Sequence, residues 1–352
     1  MFCYNNKIVQ EDLKQMSELN LQWHNFLNKT VLVTGVNSML GTYMAYLFLY
    51  LKEKKLFNIK TVVLTRSITK TKELFNDFLD KSYFEIIHQD ITTPIKYIGK
   101  IDYIFHFAGN ASPRYINSDP VGILQANLLG MFNVMEFSRD KEPQRILFAS
   151  TREVYGAVQA DSLSEESFGI LNPMENRSCY PESKRAAESI MRSYYLQHGV
   201  NGISVRIAHC YGPGMKIEND GRIMADLIGD AVHERNIVLK STGNAIRSFC
   251  YLTDAIIGMI QIALYGKVGE AYNLANETEP VSIKELANMI SKFNSKEIKY
   301  DTNQSQAGYC NYTRVELNTS KLENLGFKPE VKLIDGINRT IMSFKGGKLN
   351  NY

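Results

Sequence analysis

From residue 30 onward the chain alternates short β-branched runs with segments of helical length, and this alternation constrains its fold more than any other feature. TVLVTG at 30–35, TVVLTR at 61–66, FEIIHQD at 84–90, IDYIFHFAG at 101–109, RILFAST at 145–151 and GISVRIA at 202–208 read as strands. Between them, 39–55, 69–79, 121–139 and 180–198 have helical length. The strands are apolar almost without interruption, as strands covered on both faces are. Strand–helix alternation of this kind predicts an α/β fold, a doubly wound parallel sheet with helices on both faces. The segments beyond residue 212 are shorter and mixed, and predict a smaller C-terminal α/β lobe.

The expected organisation is an N-terminal helical arm over 1–29, with apolar positions at Ile8, Leu13, Met16 and Leu19 and the only tryptophan, Trp23. The sheet domain follows over 30–211, with 245–265 returning to it. A substrate lobe takes 212–244 and 266–345, and 346–352 is a tail. Lys and Arg number 40 against 37 Asp and Glu, a formal charge of +3. A field that weak argues against nucleic acid or an acidic membrane surface as partner. No apolar run reaches the roughly 18 residues of a membrane span, and the polar N-terminus lacks the apolar stretch of a secretory signal. A cytoplasmic location is expected. Cys3, Cys179, Cys210, Cys250 and Cys310 form no C-x-x-C pair, so free thiols are expected, with no disulfide framework and no metal site.

Three motifs carry chemistry. Gly35-Val36-Asn37-Ser38-Met39-Leu40-Gly41 joins the first strand to a helix, placing backbone N–H groups and a helix N-terminus where a pyrophosphate can sit. Thr151 and Glu153 follow the fifth strand, at the carboxyl edge where open α/β sheets bind ligands. Tyr180 and Lys184 lie one helical turn apart, so the ammonium can lower the phenol and make Tyr180 a usable general base. Arg66 follows the second strand where an acid would meet an adenosine ribose, and an arginine there accepts a 2′-phosphate.

The order of these motifs resembles the extended short-chain dehydrogenase/reductases that modify nucleotide sugars, the NAD-dependent epimerase/dehydratase family. The resemblance spans roughly residues 29–345. Asp90-Ile91, His106-Phe107-Ala108-Gly109, Asn127, RIAHCYGP at 206–213, Asp220-Gly221-Arg222 and Arg247-Ser248-Phe249 also match. It is strongest to UDP-glucuronate decarboxylases (UDP-xylose synthases), through Ala111-Ser112-Pro113, 150–156, Arg177-Ser178-Cys179-Tyr180 and 212–215. dTDP-glucose 4,6-dehydratases come next.

The resemblance implies a Rossmann-type sheet, a retained NAD, with NADP admitted by Arg66, a nucleotide-sugar substrate and a homodimer paired through two long helices. It implies cofactor contacts at Gly35, Asn37, Ser38, Met39, Leu40, Gly41, Arg66, Asp90, Ile91, Ala108, Gly109, Asn127, Tyr180 and Lys184. Catalysis falls to Thr151, Glu153, Tyr180 and Lys184, and substrate binding to Arg114, His209, Arg222, Arg247 and Arg314. The chain departs from the pattern in three places. Ser38 replaces the middle glycine of the turn and is expected to crowd the cofactor phosphates. His209 stands where asparagine is usual. Arg152 stands between Thr151 and Glu153, where dehydratases carry the aspartate that protonates the leaving hydroxyl. Arginine keeps its proton, so decarboxylation through a 4-keto intermediate fits better than 4,6-dehydration, while Glu153, which a simple C4 epimerase does not need, argues against epimerisation; Arg152 is expected to pair with the 161–166 loop. A non-catalytic dinucleotide-binding regulator would typically have lost the tyrosine or the lysine, and both are intact.

Overall fold

A computed structural model describes residues 2–301 and 315–346. Seven strands form the central sheet: β1 (Lys29–Thr34), β2 (Ile59–Thr65), β3 (Phe84–His88), β4 (Tyr103–His106), β5 (Arg145–Thr151), β6 (Gly202–Ile207) and β7 (Ala271–Leu274). Every neighbouring pair is parallel, in the spatial order β7-β6-β5-β4-β1-β2-β3. The order reverses between β1 and β4. Both of these strands are buried along their shared register, Val31 against Tyr103 through Thr34 against His106. The expected doubly wound parallel sheet is present. Its seventh strand comes from Ala271–Leu274, within the stretch that the sequence reading gave to the lobe.

Helices are numbered along the chain: α1 (Lys7–Glu18), α2 (Met39–Lys54), α3 (Ile68–Leu74), α4 (Pro113–Ser118), α5 (Pro120–Lys141) and α6 (Cys179–His198). Then come α7 (Ile223–Val232), α8 (Leu252–Tyr265), α9 (Ile283–Ser291), α10 (Ser320–Glu323) and α11 (Leu333–Phe344). Residues 41–51 of α2 are all buried, because the sheet, α1 and α8 enclose the helix. A helix apolar on every side needs such an enclosure. The opposite face of the sheet carries α5 and α6, whose Met131, Val134, Ala187 and Met191 close a second core over Leu32, Ile104 and Phe148.

The arm is fastened by a buried carboxylate. Asp12 accepts hydrogen bonds from Tyr43 of α2 and Tyr251, each at 2.9 Å, and is ion-paired with Arg339 of α11 at 2.6 Å. The lobe has its own core, built by α7, α9 and α11 around Leu227, Ile228, Leu286, Ile290 and Ile337. Ser282 caps α9 reciprocally with Glu285, as the Ser-x-x-Glu spacing predicts. Cys3, Cys179, Cys210 and Cys250 are free thiols. Cys310, Arg314 and the tail from 347 lie outside the described residues. Among the described residues no helix is long and apolar enough to cross a membrane.

Candidate active site

The β1–α2 turn sits at the point where strand order reverses, which is where open α/β sheets bind their ligands. Gly35 takes φ +67, and a Cβ there would lie 2.5 Å from the Phe107 carbonyl carbon after β4. Only glycine lets the two strand ends come this close. Gly41 is equally constrained, since a Cβ on it would meet the Gly35 carbonyl oxygen at 2.5 Å. Ser38 does something other than crowd the turn. It is the N-cap of α2, donating to the Gly35 carbonyl at 2.8 Å and accepting from the Gly41 N–H at 3.2 Å. Met39, in the first turn, packs against both the main core and the lobe core, and Leu40 against the main core.

Asn37 ties the turn to the end of β2. Its amide donates to Thr65 Oγ1 at 2.9 Å and its carbonyl accepts from Thr71 at 2.9 Å. Arg66 is 77% exposed, with Nη1 at 4.0 Å from Asp90 Oδ2. Asp90 is itself braced by the Thr92 N–H and hydroxyl. Ile91 is buried against Gly130 of α5. The Ala108 N–H reaches Thr34 Oγ1 at 3.3 Å, and that hydroxyl also pairs with His106 Nδ1 at 2.7 Å. Gly109 leaves the space above the sheet edge open, since a Cβ there would meet Asn127 Oδ1 at 2.6 Å and Lys184 Nζ at 3.4 Å. Asn127 donates to Ser183 Oγ at 2.8 Å, while its Oδ1 and His106 Nε2 are buried with no partner among the described residues.

The end of β5 carries Thr151 and Glu153, the residues expected to face a substrate. Thr151 Oγ1 accepts from the Glu153 N–H at 3.2 Å and so caps the one-turn helix Arg152–Tyr155. Tyr180 is 5% exposed, packs on Ile116 and Ile123, and has the Thr151 side chain beside its phenol. Glu153 is ion-paired with Arg177 at 2.5 Å. Behind the turn, Arg206 clamps Glu188, meets the Tyr155 hydroxyl at 3.1 Å and donates to the Glu165 carbonyl at 2.9 Å.

The electrostatics correct one expectation. Burial first, and then the Glu153 carboxylate, raise the Tyr180 phenol above its ordinary value, while the Thr151 hydrogen bond and the charges of Arg222 and Arg177 act the other way. Lys184 is one turn along, but its ammonium donates to the Ala149 carbonyl at 2.9 Å and lies 4.5 Å from the centre of the Phe148 ring. Burial lowers it to about 7, against the pull of Glu188. The spacing places Lys184 beneath the site, but the cations that favour the phenolate are Arg177 and Arg222. Buried His106 is pushed down to about 3, by burial first and then by Lys184, and is neutral.

Arg152, His209, Arg247, Ser248 and Glu277 line one cleft beside this edge. His209 takes φ +44. The protein atoms around its imidazole, and then Arg152 and Arg247, hold its pKa below the ordinary value. The arginine that ties down the 161–166 loop is Arg206, while Arg152 lines this cleft. Arg222 forks onto Asp220, and Arg247 donates to the Ile246 carbonyl at 2.7 Å. Arg114 is exposed on the short α4. The fold thus gathers Thr151, Glu153, Tyr180, Lys184 and Arg222 at one edge, with His209 and Arg247 in the adjoining cleft. Sequence reasoning passed over Arg177 as a site residue, although it stands three positions before the tyrosine.

Comparison with known proteins agrees with this architecture. UDP-glucuronic acid decarboxylase 6 of Arabidopsis thaliana is 30% identical over 312 residues, covering 88% of this chain and 87% of that protein. The solved UDP-N-acetylglucosamine 4-epimerase of Methanobrevibacter ruminantium superposes with a TM-score of 0.79 at 20% identity, over 92% of this chain and all of that one. UDP-glucuronic acid 4-epimerase of Bacillus cereus, solved with UDP-glucuronic acid and NAD, gives 0.76 at 21% identity over 90% and 99%. At those identities the two solved structures speak to the fold alone. Residues 31–275 match the model of the NAD dependent epimerase/dehydratase family, and the chain belongs to that family.

Proposed function

We propose that the protein oxidises C4 of a nucleotide-linked uronic acid with a retained NAD, and that the resulting 4-keto acid loses CO₂. The observation that carries the reading is the buried Tyr180 phenol beside Thr151 and Glu153 at the carboxyl edge of the sheet, with Glu153 ion-paired to Arg177. The residues fit a dinucleotide. The Gly35–Gly41 turn offers the α2 N-terminus, and Gly109 keeps the floor above Lys184 open. Asn127 Oδ1 is a buried acceptor and His106 Nε2 a buried ring nitrogen, each without a partner among the described residues. When bound, NAD supplies the acceptor for the hydride that leaves C4. Gly35, Asn37, Ser38, Met39, Leu40, Gly41, Ala108 and Asn127 would hold it, with Asp90 and Ile91 on the adenosine side.

Thr151 orients the C4 hydroxyl and Tyr180 takes its proton. The ketone makes the C5 carboxylate a β-keto acid, whose C–C bond breaks as the electron pair moves into the enolate. A proton would then be delivered to C5 beside Glu153, and return of the hydride to C4, with Tyr180 giving its proton back to the C4 oxygen, would leave the cofactor oxidised and retained. Arg247 suits the nucleotide diphosphate through its guanidinium, with His209 in the same cleft, while the Arg222 fork is taken up by Asp220. Arg152 holds its proton and cannot serve as the acid for a departing hydroxyl, so release of CO₂ is favoured over release of water. The relatives named as UDP-glucuronic acid decarboxylases support the same choice.

Mass spectrometry of UDP-, dTDP-, GDP- and CDP-sugars after incubation tests the reading. Loss of CO₂ from a nucleotide uronate is expected. Loss of water from a hexose would make the enzyme a dehydratase, and an unchanged mass with altered chromatography would make it an epimerase.

A further inference from the structure

The groups that face the Tyr180 phenol come from five elements. The turn after β5 contributes Thr151 and Glu153, and the one-turn helix Asn176–Ser178 contributes Arg177. The loop before α7 contributes Arg222, forked onto Asp220. Helices α4 and α5 offer only the apolar Ile116 and Ile123. On its own helix, Lys184 is turned toward Ala149 and Phe148, and Arg152 lines the neighbouring cleft. One anion, Glu153, therefore opposes ionisation of the phenol, and that anion is held by Arg177 at 2.5 Å with both side chains 24% exposed.

We propose that Arg177 is a positioning residue for Tyr180: it keeps the Glu153 carboxylate ion-paired, so that this carboxylate and the base for C4 can occupy one edge without the first blocking ionisation of the second. This rests on the reading of Tyr180 as the C4 base. Two acidic groups placed side by side resist ionising together, and a cation shared with one of them is the simplest remedy. Arg177 suits the task because its one-turn helix runs directly into α6, three residues before the phenol. Arginine also stays charged at any pH the enzyme meets.

The test follows Tyr180 directly, in the full-length cofactor-free protein labelled with ¹³C at the tyrosine ring. The Tyr180 resonance is assigned by its loss in Tyr180→Phe. Removing a cation raises a phenol and removing an anion lowers it. Arg177→Gln should therefore move the onset of ionisation up by about 1 pH unit, and Glu153→Gln down by about 1. The double variant should return close to the parent, and Arg177→Lys should behave as the parent does. The acid limb of the pH profile for cofactor reduction should move in the same two directions. Opposite shifts that cancel are not produced by a residue that merely supports packing. Singles that move the resonance in the same direction, or a double variant displaced as far as either single, overturn the proposal. If Arg177→Gln does not fold, Glu153→Gln alone must lower the onset for the proposal to stand. Should no nucleotide sugar be turned over, the proposed function falls, while the resonance titration still decides this inference.

Discussion

The Glu153 carboxylate opposes ionisation of the Tyr180 phenol, and proton removal at C4 in the proposed reaction depends on that phenol. Replacing Tyr180 with Phe removes the acceptor for the C4 proton and keeps the ring's packing on Ile116 and Ile123. Turnover should fall by about 10²–10⁴-fold with NAD affinity nearly unchanged, as single-turnover absorbance and calorimetry would report. Glu153→Gln should cost roughly a hundredfold, about 2.7 kcal/mol of transition-state stabilisation, and Arg152→Ala much less. Arg152→Asp is the sharper variant, because it restores the dehydratase order Thr-Asp-Glu. Water released from a hexose by that variant, but not by the parent, would support the argument from arginine's retained proton. Arg66 bears on the cofactor. Its exposed pairing with Asp90 at 4.0 Å is of the kind that contributes under about 1 kcal/mol. Calorimetry should find NAD bound more tightly than NADP, with NAD affinity little changed in Arg66→Ala; tighter NADP binding that is lost in that variant would assign Arg66 to a 2′-phosphate. The Tyr-x-x-x-Lys spacing was legible because both residues lie on one helix. The environment of the phenol was not, because Arg177, Glu153 and Arg222 reach it from three separate segments, and because the lysine's direction is set by a strand carbonyl.

At the scale of elements, the strands were legible where burial on both faces leaves an unbroken apolar run, as in β1, β2 and β5. β7 has only four residues and reaches the sheet by pairing Ala271–Leu274 with Ser204–Ile207, 67 positions back; local pattern carries little of that. The capping box of α9 was legible because both partners lie within one turn. Ser38 read as an intrusion because the eye followed the missing glycine, whereas a hydroxyl at the first helical boundary is a cap. α8 carries a pH-dependent tie. Asp254 in its first turn accepts the N–H groups of Glu330 and Val331 at 3.1 and 3.2 Å, and burial raises its carboxyl from the model-compound 3.8 to about 6, with those two bonds opposing the rise. The folded chain thus binds this proton more tightly than the unfolded one. Its contribution is full below about pH 4 and is lost as pH rises through about 6, a swing of up to about 3 kcal/mol. Chemical denaturation of the parent and of Asp254→Asn should show the parent losing stability relative to the variant between pH 4 and 7. A constant difference across that range would place the carboxyl at its ordinary value.

At the scale of the whole molecule, the sheet, the arm and the lobe leave one helical face without cover. On α5, Val121, Leu129 and Phe132 are 62%, 46% and 46% exposed, and on α6 Leu196 is 68% exposed. The three positions on α5 are spaced by eight and three residues, so they lie along one stripe, and Phe132 meets Tyr194 of α6 edge-on at 6.4 Å. The inner faces of the same helices are spent on the sheet, where Met131, Val134, Ala187 and Met191 are buried. A twofold axis across the outer stripe would set α5 and α6 against their copies as a four-helix layer, the self-complementary arrangement of a symmetric dimer. Pairing at this face would also bear on catalysis, since α5 supplies Asn127 and α6 supplies Tyr180 and Lys184, and fixing both helices from outside would hold those side chains in register. Light scattering at micromolar concentration should therefore give twice the 40.1 kDa of one chain. The pair Leu129→Glu and Phe132→Glu should bring the mass down to that of a monomer, with the circular dichroism of the parent, because four like charges would face one another across the axis. A monomeric parent at that concentration, or a dimer that survives both glutamates, would remove α5 and α6 as the interface.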